Sequence, residues 1–188
     1  MDWKKFSMSN LRLINETEIT SATATVQAQD VFSSDFDIYK ITISDLQQAS
    51  ATTKIFFRYI NSAGSPITAS KYDYAFLVLK DDDSFAEQNQ VDGSEIWHTG
   101  YNIENTTDFG GSVFWIFNPY SSSSYTFHIN QSFGRYSGVS GGGANFEGYK
   151  QIGALKNLDT VTGIEFYNTS SVDFSKLKFN IYGLRVDS

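Results

Sequence analysis

The chain has no cysteine among its 188 residues. That excludes disulfide staples, a thiol nucleophile and any thiolate metal site, so stability must come from the chain's own core or from partner subunits. Only two histidines occur, His98 and His128, too few for a multi-histidine metal centre within one chain. Proline is scarce, with two residues. No stretch approaches the ~20 apolar residues of a membrane span. The opening MDWKKFSMSN is not followed by an apolar run of signal-peptide length, so the expectation is a soluble product that does not insert in a membrane and reaches the outside, if at all, without a classical signal. Positive charge is short: 14 Lys and Arg stand against 21 Asp and Glu, a net charge of −7. Such an acidic surface argues against nucleic acid and against anionic membranes as partners.

Aromatic side chains are abundant, with 16 Phe, 11 Tyr and 3 Trp. Aromatic and β-branched enrichment favours strands, and the helix formers are not gathered into any long block of 3.6 period. The clearest strand is Phe36–Leu46, FDIYKITISDL, where Tyr39, Ile41 and Ile43 alternate with Lys40, Thr42 and Ser44. Period 2 means one face on a core and one toward water. Lys176–Val186 repeats the pattern, with Leu177, Phe179 and Ile181 on the apolar parity. After Gly183 that parity passes to Leu184 and Val186, which predicts a β-bulge at the glycine. The two segments are expected to be inner strands of one antiparallel core.

Further strands are predicted at 11–15, 53–61, 72–80, 94–99, 112–117, 125–130, 149–155 and 161–167. Ile19–Gln29 is weakly specified and predicts an edge strand or a connector. Tyr72–Lys80 is apolar on both parities, as in a strand covered on both sides or buried in an oligomer interface. Asp81–Gly93 and Tyr101–Gly111 predict polar loops, and Phe133–Gly148 a glycine-rich one. About ten short strands, with turn signals every ~8–15 residues, predict an all-β fold: a single antiparallel β-sandwich or barrel. At this length the chain forms one domain, residues 31–188, preceded by an arm and edge segment, residues 1–30.

Catalytic signatures are missing. Glu95, Glu104, Glu147 and Glu165 are scattered rather than clustered as a sandwich glycosidase needs. No G-x-S-x-G elbow is present, and the Gly141–Gly143 run lacks the context of a phosphate loop. Asp81–Asp83 lacks the spacing of a calcium loop and predicts a solvated turn. The expectation is therefore no enzyme, no cofactor and no metal. The candidate contacts are of two kinds. Trp3, Phe6 and Met8 on the arm are apolar groups that would dock on a subunit or a partner. Tyr101, Phe109, Tyr120, Tyr136 and Tyr149 lie in or beside loops rich in Asn, Ser and Gly, a mixture that stacks on sugars and also makes ordinary polar interfaces.

From Asp35 to Val186 the succession SSDFDIYKITISDL, KIFFRYIN, several aromatic strands and a closing FSKLKFNIYGLRV resembles a group of virion proteins of tailed bacteriophages. Their jelly-roll-like sandwich ends in an alternating strand with a Tyr-Gly pair, here Tyr182 and Gly183. The resemblance implies a jelly-roll sandwich and a non-enzymatic structural protein of the virion exterior. Members serve as head decorations, head fibres or tail fibres and often form trimers, so the implied partners are copies of this chain, other virion proteins and host surface glycans. With no heptads or G-X-Y repeats to build a shaft, head decoration is expected before a tail place.

Overall fold

The computed structural model describes residues 10–49, 54–81, 84–97, 110–136, 145–168 and 172–185. Among these it holds twelve strands and no helix, in two antiparallel sheets. The eight-stranded sheet runs β1 (Leu11–Glu18), β12 (Phe174–Leu184), β3 (Ile38–Gln48), β8 (Gly110–Phe117), β9 (Thr126–Tyr136), β10 (Asn145–Leu155), β5 (Tyr72–Lys80), β6 (Phe85–Gly93). The four-stranded sheet runs β2 (Thr25–Ala28), β11 (Val161–Asn168), β4 (Ile55–Asn61), β7 (Ile96–Trp97).

The two anchor strands behave as expected. β3 and β12 pair antiparallel inside the large sheet, Ile41 opposite Ile181, and Tyr39, Ile41 and Ile43 are buried. Their inner face packs against Phe57 and Tyr59 of β4 and Ile164 and Phe166 of β11 in one large core cluster. Rings meet there edge to face, Phe57 against Phe114 at 5.4 Å and against Tyr59 at 5.7 Å. The buried Tyr72 hydroxyl is satisfied locally: it donates to the Ile67 carbonyl at 3.0 Å and accepts from the Tyr59 amide at 3.1 Å. The Ser62–Pro66 turn closes with Gly64 at φ 75°, where a side chain would be strained.

Several expectations need correction, among them the Phe133–Gly148 loop, whose two ends belong to β9 and β10. Gly183 makes no bulge. It pairs in register with Tyr39, and burial alternates through it, so Leu184 faces outward. The glycine is there because an added Cβ would lie 2.5 Å from the Phe36 ring. Asp81–Gly93 is not all loop, since Phe85–Gly93 is the edge strand β6. An edge strand exposed on both faces carries no period-2 signal, which is why Glu87-Gln-Asn-Gln90 looked like loop. Finally, twelve strands replace about ten, because β6 was missed and β1 and β2 are separate strands in different sheets.

A smaller cluster joins Phe56 and Trp97 of the small sheet to Phe76, Val78 and Tyr149 of the large one. Phe56 has the parity opposite to Phe57, so it sits on the other face of the small sheet. The far end of the large sheet, β10-β5-β6, therefore wraps round the β7 edge. That wrapping creates both surfaces described next.

Candidate functional site

The first surface is a cleft of about 460 Å³ between the small-sheet edge and the inner face of β5 and β6. Lys54, Phe56 and Trp97 line one wall, Tyr74, Gln88 and Gln90 the other, and Ser94 and Glu95 close one end. The outward parity of β4 places Phe56 and Arg58 on this side. Glu95 is held firmly. The Arg58 guanidinium donates to its Oε2 at 2.6 Å, as do the Tyr167 hydroxyl at 2.6 Å and the Ser94 hydroxyl at 3.2 Å. Arg58 also lies over the Tyr167 ring at 4.4 Å.

Partial burial alone would raise the Glu95 carboxyl, but the hydrogen bonds from Tyr167 and Arg58 and the guanidinium charge outweigh it and hold the group below its usual range. Burial, and then the bond to Glu95, push the Tyr167 phenol far up. The arrangement thus presents an ionised acceptor, not a proton donor. A glycosidase acid needs the opposite, a carboxyl kept protonated. Aromatic rings, amides and a fixed carboxylate together suit a hydroxyl-rich ligand. Trp97 itself is buried, with the Lys54 ammonium 3.9 Å over its ring, so the half-buried Tyr74 is the ring that faces the space.

The second surface is the outer face of the large sheet, which divides in two. Over β1 and β12 it is charged: Lys178 pairs with Glu18 at 3.1 Å and Glu16 at 3.9 Å. Over β9-β10-β5-β6 it is apolar. Of the thirteen large hydrophobic side chains exposed among the described residues, nine stand here. They are Phe127, Ile129 and Phe133 of β9, Phe146 and Ile152 of β10, Leu77 and Leu79 of β5, and Phe85 and Val91 of β6. The register aligns them in rows: Phe133, Gly148, Leu79, Phe85 in one, and Trp115, Ile129, Ile152, Ala75 in another.

β9 turns its apolar parity outward. Tyr125, Phe127 and Ile129 share a side, but that side is the solvent side, while Thr126, His128, Asn130 and Ser132 are buried. Among the described residues β5 is covered on one side only, Leu77 and Leu79 being exposed, which leaves the other expected alternative, burial in an oligomer interface.

The structure spreads the sequence candidates apart. Tyr120 is exposed in the turn after β8. Tyr149 is no loop contact: it lies within β10, 7% exposed, and its hydroxyl donates to buried Glu147, which also pairs with Lys80 at 3.3 Å. Ring burial against Phe76 removes it from any sugar-stacking surface. Trp3, Phe6, Met8, Tyr101, Phe109, His98, Glu104 and Asp82–Asp83, and the side chain of Tyr136, lie outside the described residues, as does Gly141–Gly143. Neither surface had been singled out whole. The available signal was Phe56 and Arg58 alternating with the core parity of β4, and the two-sided apolarity of β5.

With both surfaces in view, the fold and geometry define a two-sheet antiparallel β protein with a polar-aromatic cleft and an uncovered apolar face. No family model, no curated protein and no solved structure matches the chain.

Proposed function

We propose that this chain is a non-enzymatic structural protein on the exterior of a tailed-phage particle, a head decoration or head fibre, with a tail-fibre place as the alternative. The observation that carries an assembly role is the uncovered apolar face, because monomeric proteins rarely leave more than a few hundred Å² of contiguous apolar surface in water. The phage setting rests on the resemblance between Asp35 and Val186. Strand order supports its jelly-roll component. β1-β12-β3-β8 opposed to β2-β11-β4-β7 is the order an eight-stranded double Greek key produces. On this reading β5-β6 and β9-β10 are two hairpins inserted into the roll, and they carry the whole apolar face.

Mass spectrometry of density-purified particles from a culture that encodes the chain tests the proposal. The chain should be recovered at tens of copies per particle, and immunogold should label the outside. Absence from the particles overturns it. Deleting residues 2–9 should release the protein from particles without changing its denaturation midpoint. Full occupancy by the truncated chain would remove the arm from the docking contacts.

The cleft favours a second reading, a saccharide-binding module. A glycan array should then show binding that is lost in Tyr74→Ala, and an array without signal dismisses this reading.

A further inference from the structure

We propose that the β9-β10-β5-β6 face is an interface between two copies of this chain, stacked sheet on sheet about a two-fold axis running along the boundary between β10 and β5. This goes beyond the particle reading and does not depend on it.

Area is the first argument. The nine exposed side chains together leave on the order of 900 Å² per copy in water, against the ~800 Å² per partner of a standard stable interface. The face is also bounded. It stops at β8, where the Lys40 ammonium lies 5.6 Å from the centre of the Trp115 ring, and beyond that the sheet is charged. A shallow groove of about 550 Å³, walled by Ile129, Ile152, Phe127 and Val91, runs along it.

Self-complementarity is the second argument, and it selects the occupant. A two-fold axis parallel to the strands between β10 and β5 sets β10 over the partner's β5, and β9 over the partner's β6, row for row. The register then opposes large to small next to the axis. Leu79 of one copy falls on Gly148 of the other, where even an added Cβ would meet nothing nearer than 3.9 Å. Ile152 falls on Ala75. One strand further out Phe133 meets Phe85. Lys150 and Glu87 share a row, and neither has an ion-pair partner among the described residues. The same rotation brings Lys150 of each copy beside Glu87 of the other. Sheets stacked ~10 Å apart leave both side chains able to reach. Small opposite large, with a cross-copy charge pair, is how facing sheets interdigitate.

Light scattering coupled to size exclusion on the full chain tests this. The wild type should run at twice its 21.1 kDa mass. Ile152→Lys and Gly148→Leu change outward positions only, so both should keep the denaturation midpoint the wild type shows when diluted to monomer, and weaken self-association at least tenfold. Lys150→Glu should weaken it as well, and Lys150→Glu with Glu87→Lys should restore it. A monomeric wild type at tens of micromolar overturns the proposal, as does a dimer indifferent to Ile152→Lys and Gly148→Leu. A trimer dispersed by Ile152→Lys would also overturn it, because the face would then make a heterologous contact. If the chain's own first residues covered the face, the wild type would be monomeric and deletion of residues 2–9 would create the dimer, which again counts against the stacking.

Discussion

One buried and one half-buried ionisable group weaken this protein in acid, each over its own pH window. His128 is 1% exposed and burial holds its imidazole down at about 4. An unfolded imidazole takes its proton near pH 6.5, so between pH 6.5 and 4 the unfolded chain binds more protons than the folded one. Stability should fall over that window by about 3 kcal/mol and level off below it. Denaturant midpoints measured from pH 7 to 4 check this, and His128→Asn should flatten the slope. Glu95 works in the same direction over a lower window, by a different cause. Its folded carboxyl is depressed, so its contribution is present above the unfolded value and is lost as pH falls through the folded one. Glu95→Gln should therefore lower stability above about pH 4.5 and flatten the acid slope below it, where the two curves converge. Tyr167→Phe removes one charge-assisted donor and should cost about 1–2 kcal/mol by the same measurement.

At the scale of elements, β4 and β12 hold the two sheets together. Phe57 is fully buried between Tyr59, Phe114, His128 and Phe166. Phe57→Ala should destabilise by about 3–5 kcal/mol, the usual cost of an aromatic-sized cavity. Gly183→Ala forces a methyl into the Phe36 ring and should cost about 1–3 kcal/mol, whereas Gly148→Ala on the open face should leave the midpoint nearly unchanged. A bulge at Gly183 would have made both glycines equally tolerant, so the pair of midpoints separates the two accounts. β6 is fastened to β5 at its far end by Lys156, which reaches Asp73 at 2.9 Å and Asp92 at 2.7 Å. Lys156→Ala should speed amide exchange of β6 while leaving β3 and β12 protected.

On the scale of the whole molecule, a sandwich whose large sheet extends beyond its small one has more apolar sheet than it can cover. The inner side of the extension is managed by wrapping round β7. The outer side is not covered by other described residues of the chain. Charged substitutions there should act on association and not on folding, the reverse of substitutions in β3, β4 or β12. Comparing solution mass with the denaturation midpoint of samples diluted to monomer, for Ile152→Lys and Phe57→Ala, checks that division: the first should change mass alone, the second the midpoint.

The strands with one face on the core were legible in the sequence, because period 2 is a local consequence of burying one side of an extended chain: Tyr39, Ile41, Ile43 and Leu177, Phe179, Ile181 declare themselves. The all-β class followed from the same signal repeated along the chain. Which face is the inside was not legible. In β9 the apolar residues Phe127 and Ile129 turn outward and the polar His128 and Asn130 turn inward, because pairing to β8 and β10 sets the parity through hydrogen-bond register and not through hydropathy. The cleft was equally hidden, since Arg58, Glu95 and Tyr167 lie far apart in the chain and meet only where β11, β4 and β7 pair side by side in the small sheet. Local alternation is written in the sequence; the side of each sheet that meets water is decided by how twelve strands share two layers.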